Sequence, residues 1–169
     1  MPMSDYIRRL RASVGAEMLL IPGVTGVVIN SAGEVLLQRR SDNGEWGLPG
    51  GAIDPGEEPA DAVVREVLEE TGVHVVPERL VGVYSGPDHH FWYPNGDEVV
   101  IVSIVFACRP IGGEPRVNDD ESFEVRYFPR GALPHMDARH HFRIAQALRG
   151  DPRAHSPTTQ ESSSWHRMT

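Results

Sequence analysis

Residues 51–73 read GAIDPGEEPADAVVREVLEETGV and lead from a glycine-rich loop into a short amphipathic helix. Glu66, Glu69 and Glu70 are spaced i, i+3 and i+4, so their carboxylates share one face of that helix. Three like charges within one turn repel each other, but they suit a hard divalent cation, which prefers oxygen ligands. The glutamates alone favour a simpler interpretation, a solvated acidic face. The spacing of the whole segment distinguishes a cation site from a solvated acidic face.

The spacing across residues 51–73 resembles the Nudix box. That pattern is Gly, five residues, Glu, seven residues, Arg-Glu, an aliphatic residue, any residue, Glu-Glu, any residue, Gly and a second aliphatic residue. Every fixed position is met, by Gly51, Glu57, Arg65, Glu66, Val67, Glu69, Glu70, Gly72 and Val73. Residues 46–51 resemble the strand that leads into the box, and residues 121–133 resemble the closing strand and turn of the family. The chain is therefore similar to Nudix hydrolases.

The resemblance implies a fold and a reaction. The expected fold is α/β (α+β), a Nudix-like α/β/α sandwich with a mixed β-sheet, whereas periodicity alone gives only α+β. The expected reaction is attack of metal-activated water on phosphorus, which cleaves the diphosphate of a nucleoside diphosphate linked to another moiety. ADP-ribose, nucleoside triphosphates and dinucleoside polyphosphates stay open as substrates, because substrate choice depends on loops outside the box.

A metal site on the box helix is a further implication of the resemblance. Glu66, Glu69 and Glu70 match the positions that bind Mg²⁺ (or Mn²⁺) in the family, and the backbone carbonyl of Gly50 matches an additional ligand. The cation would neutralise phosphate charge and activate a water molecule. The apolar stripe on the other side of this helix is predicted to be Ala60, Val63, Val64, Val67 and Leu68.

The resemblance also points to catalytic residues around these ligands. A bidentate pair between Arg65 and Glu57 is expected to tie the loop to the helix and to hold the ligating glutamates in place. Glu66 and Glu121 are both candidates for the general base. Glu121 matches the position of an additional metal-binding or catalytic glutamate in related enzymes. Glu124 is a weaker candidate for the same role.

Candidate substrate contacts lie outside the box helix. Arg40 ends a strand at a position where the family often places an arginine against a phosphate. Trp46 is expected either to stack on a base or to pack in the core. Gly51 lets the backbone approach a ligand closely. The segment from Asp88 to Tyr93 concentrates aromatic and polar side chains in one irregular loop, which suits a substrate lid or specificity loop.

Patterning divides the chain into an N-terminal helix within residues 1–17, a Nudix-like domain over residues 18–150, and a tail over residues 151–169. The tail is rich in Ser, Thr and Pro, which predicts disorder. Strands are predicted at residues 23–30, 34–40, 46–48, 79–84, 98–108 and 123–128. Helices are predicted from Ser4 to near Gly15, from Pro59 to Gly72 and from Asp137 to Leu148.

Composition limits the cellular context and the partners. The net charge of −8 argues against binding a nucleic acid polymer, and no apolar run approaches the roughly 20 residues of a membrane span. No signal peptide is evident, so a cytoplasmic location is expected. The expected partner is a nucleotide-like small-molecule substrate. A homodimer through the N-terminal helix or a sheet edge is left open.

Two alternatives to hydrolysis share the expected fold. One is a non-catalytic nucleotide-sensing Nudix-fold module, although such modules usually have degraded boxes. The other is an isopentenyl diphosphate isomerase, which needs a catalytic cysteine. The chain has a single cysteine, Cys108, and its apolar neighbours predict a buried, inert thiol.

Two groups of basic residues are assigned surface roles. The arginines of the first helix, Arg8, Arg9 and Arg11, are expected on a solvated or dimer-facing side. The histidine pairs at residues 89–90 and 140–141 lack the spacing of a zinc site and are also expected at the surface.

Overall fold

The structure is a computed structural model that describes residues 5–92, 95–118 and 122–158. Its helices are α1 (Asp5–Val14), α2 (Pro59–Thr71) and α3 (Ala138–Arg149). Its strands are β1 (Leu19–Val28), β2 (Glu34–Arg40), β3 (Trp46–Gly47), β4 (His74–Tyr84), β5 (His90–Trp92), β6 (Glu98–Gly112) and β7 (Ser122–Pro129). Within these ranges, no helix has the length and apolar character that crossing a membrane requires.

The strands form two linked sheets. In the first sheet β1, β6 and β4 lie side by side in that order, with β1 parallel and β4 antiparallel to β6, while β5 also pairs with β6. In the second sheet β3, β2 and β7 are antiparallel. An isolated bridge between Ile29 and Val35 joins the two. The α+β fold class and its mixed sheet are confirmed, since the first sheet combines parallel and antiparallel pairs, and an antiparallel sheet lies beside it.

Helices α2 and α3 cover opposite faces of the β layer. Val27 and Val28 are neighbours on β1 and both are fully buried, yet they belong to different core clusters. Val27 belongs to the cluster that contains Ile144 of α3, and Val28 to the cluster that contains Val63 of α2. Successive side chains of a strand point to opposite faces, so the layers run helix, sheet, helix.

The box helix α2 begins and ends where its local signals predict. Pro59 occupies its first turn, and Gly72 ends it in a left-handed conformation with φ 71°, donating its N–H to the Leu68 carbonyl at 2.9 Å. The predicted stripe is correct for Val63 and Val67 but wrong for Ala60, which is exposed. The helix is rotated so that its buried residues are Ala62, Val63, Val67, Glu70 and Thr71.

Arg11 has a structural role that differs from the expected solvated side. The side chain is 9% exposed, and its guanidinium donates to the carbonyls of Gly15, Glu17 and Glu98. It also lies 3.6 Å from the Asp97 carboxylate. Because Glu98 begins β6, these bonds attach the end of α1 to the first sheet.

Within the first part of the tail, residues 151–158, the backbone of His155 pairs with β4. His155 donates its N–H to the Val81 carbonyl at 2.9 Å and accepts the Val83 N–H at 3.0 Å. A Cβ on Gly82 would lie 2.3 Å from the His155 carbonyl, so glycine is needed for this approach. The ring of His155 also lies beside the rings of Tyr84 and Phe142. The disorder that the composition predicts for the tail as a whole stays a prediction. Residues 159–169 lie outside the described residues.

Candidate active site

The loop that precedes α2 lies directly against β1. Val24 donates its N–H to the Gly51 carbonyl at 2.8 Å, and Gly26 donates to the Pro49 carbonyl at 2.9 Å. A Cβ on Gly50 would lie 2.2 Å from the Val24 carbonyl oxygen, closer than real contacts allow. The glycine at position 50 is therefore required by backbone packing, which fixes the loop in front of α2.

Two box glutamates contact this loop. The Glu70 carboxylate is buried and accepts the Gly50 N–H at 2.7 Å. A Cβ on Gly51 would lie 2.3 Å from the carboxylate of Glu66, so that carboxylate rests on the glycine. The side chain of Glu69 is 57% exposed and lies on the outer side. The solvated acidic face, the simpler interpretation of the three glutamates, does not describe Glu70, whose side chain turns inward to the loop.

Arg65 links the loop to the helix. Its guanidinium donates to both oxygens of Glu57 at 2.8 Å, to Glu66 at 2.7 Å and to Glu69 at 3.2 Å. A further bond at 3.1 Å reaches the Ala52 carbonyl in the loop. The hydrogen bonds from Arg65 lower the pKa of Glu57 and, reciprocally, those to Glu57 raise the pKa of Arg65, in each case against the effect of burial. This is the bidentate arrangement that the resemblance implies.

We expect Arg65→Lys to lower the free energy of unfolding by about 2 kcal/mol at pH 7, because an ammonium cannot reproduce the planar fork that spans Glu57, Glu66 and the loop. The lowered pKa of Glu57 makes the difference depend on pH. The pair stabilises the fold fully above the ordinary pKa of 4.5 and loses its effect as pH falls through the lower pKa of the folded state. Denaturant unfolding of both proteins between pH 7 and pH 3 measures this.

Arg109→Lys is the matched control for that experiment. Arg109 also contacts a carboxylate, Glu78 at 2.6 Å, but both side chains are more than half exposed. Exposed ion pairs contribute little, so the control should change the free energy of unfolding by less than about 0.5 kcal/mol. Equal effects of the two substitutions at pH 7 would contradict the anchoring role of Arg65.

The box residues fit a hard divalent cation in chemical type. Glu66, Glu69, Glu70 and the Gly50 carbonyl offer oxygen atoms only, which Mg²⁺ and Mn²⁺ prefer. Oxygens of Glu66 and Glu69 both accept from Nη1 of Arg65, so these carboxylates converge on one cationic atom. In the described part of the chain, no three His, Cys, Asp or Glu side chains already form a group that could hold a metal ion. The carboxylate oxygens of Glu66 and Glu69 instead accept hydrogen bonds from Arg65, and that of Glu70 accepts one from the Gly50 N–H.

A cavity of about 410 Å³ opens where a 3₁₀ turn, Pro87–His89, and β5 meet the start of α3. It is lined by Pro87, Asp88, His90, Phe91, Asp137, Ala138 and Arg139. Asp88 belongs to the loop that the sequence selects as a specificity loop. The other side of the cavity comes from the start of α3, about 50 residues later, and the sequence alone marks Asp137 only as the start of a helix.

Arg139 joins the two sides of this cavity. It donates to the Asp137 carboxylate at 2.8 and 2.7 Å and to the Asp88 carbonyl, and its guanidinium lies 4.8 Å from the centroid of the Phe91 ring. Burial raises the pKa of Asp137, but hydrogen bonds from the side chain and backbone of Arg139 outweigh it and lower that pKa to about 2. Asp137 is therefore ionised at neutral pH and orients Arg139 toward the cavity.

The other predicted substrate residues are more dispersed. Arg40 pairs with Asp42 in its own loop at 2.9 Å. Trp46 packs edge to face on Phe128 with ring centroids 4.7 Å apart, which matches the core-packing alternative. The Gly51 carbonyl is bonded to β1, as described above. Glu121 and Tyr93 lie outside the described residues.

Comparison with known proteins extends the resemblance beyond residues 51–73. The chain matches the family model described as NUDIX domain over residues 19–149. It is 39% identical over 115 residues to an ADP-ribose pyrophosphatase of Methanocaldococcus jannaschii, an alignment that covers 64% of each chain. It is 33% identical over 112 residues to a putative 8-oxo-dGTP diphosphatase of Bacillus subtilis, covering 66% of this chain and 68% of the relative.

A solved structure supports the same comparison at the level of the fold. The crystal structure of an ADP-ribose pyrophosphatase from Streptococcus suis superposes with a TM-score of 0.63 at 26% sequence identity. The superposition covers 82% of this chain and 96% of that one. The likeness therefore extends well beyond the 23 residues of the box.

Proposed function

Because this chain belongs to the Nudix family, we propose that it is a Mg²⁺- or Mn²⁺-dependent pyrophosphohydrolase that cleaves the diphosphate of a nucleoside diphosphate linked to another moiety. One observation carries the proposal. Glu66 and Glu70 are both held against the Gly50–Gly51 backbone, and Arg65 fixes Glu66 there. A set of carboxylates gathered on a glycine backbone suits a cation that binds a polyanionic substrate.

Each box residue has a separate part in the proposed reaction. Glu66, Glu69, Glu70 and the Gly50 carbonyl would hold the cation, which would neutralise phosphate charge and lower the pKa of a water molecule. Arg65 and Glu57 keep the loop and the helix in register, so that the ligating oxygens are positioned before the substrate binds. Glu66 and Glu121 both stay candidates for the general base.

The cavity beside α3 is the proposed site for the nucleoside end of the substrate. Its volume of about 410 Å³ is within the usual range of small-molecule sites, roughly 300–1,000 Å³. The Phe91 ring and the Arg139 guanidinium offer a planar surface on which a base can stack, and Asp88 provides polar contacts. ADP-ribose and (oxidised) purine nucleoside triphosphates are therefore the first substrates to test.

The two alternatives are less well supported by the residues. A nucleotide sensor does not need the complete set of box residues, yet all are present. Arg65 is bonded to Glu57, Glu66 and Glu69, and Glu70 is bonded to the Gly50 N–H. An isomerase of the kind considered needs a reactive thiol. Cys108 is 4% exposed, and burial raises its pKa to about 12, so it is not a thiolate at neutral pH.

A substrate panel tests the proposal. ADP-ribose, dGTP, 8-oxo-dGTP and diadenosine tetraphosphate are incubated with the protein in Mg²⁺, in Mn²⁺ and in EDTA, and the products are separated by ion-exchange chromatography. We expect at least one compound to be cleaved at its diphosphate with metal and none with EDTA. If every nucleotide stayed intact with Mg²⁺ and with Mn²⁺ but bound measurably to the protein, the result would support the nucleotide-sensing alternative in place of the hydrolase.

A further inference from the structure

The cavity wall that contains Pro87 and Asp88 is a short turn with little backbone anchoring of its own. A local hydrogen bond closes the 3₁₀ turn, from the His89 N–H to the Gly86 carbonyl at 2.9 Å. Gly86 leads into the turn with φ 96°, a backbone conformation that L side chains rarely adopt. Local features of this kind set the shape of the turn but not its place beside α3. Side-chain contacts have to supply that place.

Two arginines of α3 hold successive residues of this turn. Arg139 and Arg143 stand four positions apart, so they share one face of the helix. Arg139 donates to the Asp88 carbonyl, and Arg143 Nη2 donates to His89 Nε2 at 2.9 Å. A guanidinium can only donate, so the His89 ring accepts at Nε2 and carries its proton on Nδ1. The bond to Arg143 therefore fixes the tautomer of the ring as well as its position.

The bond between Arg143 and His89 is buried. The two residues are 7% and 2% exposed, so the predicted surface position of His89 is wrong. Burial, followed by the nearby positive charge of Arg143, lowers the pKa of His89 to about 4, so the ring is neutral at pH 7 and can accept. Burial also lowers the pKa of Arg143 to about 10, which leaves the guanidinium charged. A charged donor out of reach of water makes a strong hydrogen bond, which ties the turn to α3.

Arg143 also reaches the strand that supports the box loop. Its Nη1 donates to Thr25 Oγ1 at 3.4 Å, and Thr25 Oγ1 lies 3.1 Å from Ser103 Oγ on β6. Thr25 belongs to β1, and the preceding residue, Val24, is bonded to the Gly51 carbonyl of the box loop. One side chain therefore spans the distance from the cavity wall to the strand against which the proposed cation site is built.

We propose that Arg143 is a positioning residue that holds the cavity wall in register with the box loop, so that one substrate can reach the cavity and the cation site together. This inference rests on the proposed function. Arg143 and His89 do not line the cavity, so they act through their neighbours, Asp88 in the wall and Thr25 on β1. A substrate that bridges two sites binds more tightly when their separation is preset, because binding then does not have to order the wall.

Removal of the buried bond from either side tests the proposal. Arg143→Met and His89→Leu each remove it. Kinetics use whichever of ADP-ribose, dGTP, 8-oxo-dGTP and diadenosine tetraphosphate the protein cleaves. We expect KM to rise about tenfold and kcat to stay within about threefold in each variant, since the wall contributes to binding and not to attack on phosphorus. The double variant should have the KM of either single variant, because both changes remove the same bond.

A conservative variant and a matched control accompany these two. In His89→Gln the amide oxygen can still accept from Arg143, so KM should stay within about threefold of that of the unmodified chain. Arg149→Met removes an exposed arginine from the same helix and should leave KM and kcat unchanged. Loss of a buried charge offsets the lost hydrogen bond, so the Tm of Arg143→Met should change by only a few degrees. His89→Leu provides the same test if Arg143→Met does not fold.

Hydrogen exchange of the free protein gives a readout that needs neither substrate nor metal. The amides of residues 86–92 should exchange at least about fivefold faster in Arg143→Met than in Arg149→Met, while those of α2 keep their rates. Unchanged exchange of residues 86–92, or an unchanged KM in both Arg143→Met and His89→Leu, would overturn the proposal. Failure of the proposed function is a separate outcome. It appears as absent hydrolysis in the substrate panel and leaves the exchange rates to decide whether Arg143 holds the wall.

Discussion

Glu69→Gln and Glu70→Gln are each expected to lower kcat by about 100- to 1,000-fold while the fold stays intact, because each removes one charge from the proposed cation site and costs several kcal/mol of transition-state stabilisation. A glutamine at position 70 can still accept the Gly50 N–H through its amide oxygen, and position 69 is more than half exposed. Neither change should therefore lower Tm by more than a few degrees. Steady-state rates at saturating Mg²⁺, with Mn²⁺ binding measured by electron paramagnetic resonance, separate loss of metal from loss of chemistry.

Glu58→Gln is the matched control for these variants. Glu58 precedes the same helix, is exposed and makes no side-chain cap. It undergoes the same chemical change outside the proposed site and should retain turnover within about twofold of the unmodified chain. Near-normal turnover in both Glu69→Gln and Glu70→Gln would remove these residues from the metal assignment.

Gly50→Ala is expected to produce the largest loss of stability, about 3 kcal/mol, which corresponds to a Tm lower by roughly 10 °C. The added Cβ would lie 2.2 Å from the Val24 carbonyl oxygen and 2.8 Å from the Thr25 Cα. Both are backbone atoms of β1, so no side-chain rotation relieves the overlap. The loop has to move away from β1, and the Glu70 contact with the Gly50 N–H goes with it. Activity should fall together with stability.

Gly131→Ala distinguishes this clash from a general effect of replacing glycine. A Cβ at Gly131 meets no atom within 4 Å, and the backbone there has no left-handed conformation to strain. That variant should unfold within about 0.5 kcal/mol of the unmodified chain in urea. If Gly50→Ala were equally stable, the loop would not be packed against β1 as the structure places it.

Local sequence signals were accurate where local physics decides the outcome. Pro59 and Gly72 mark the ends of α2 because a fixed φ suits a first turn and a glycine suits a left-handed cap. The pair between Arg65 and Glu57 joins residues eight positions apart within the box, and the resemblance placed it correctly. The prediction for Ala60 failed because helical spacing gives a period but not the rotation of the helix against the sheet.

The sequence by itself determined the family, the reaction class that this family suggests and the carboxylates proposed to hold the cation, because box spacing is a local property of the chain. Only the tertiary structure turned Glu70 inward onto Gly50 and brought Asp88 and Phe91 against Arg139. It also buried Arg143 beside His89, 54 positions away in sequence. Such contacts depend on how the β layer packs against α2 and α3, and no spacing rule along the chain encodes them.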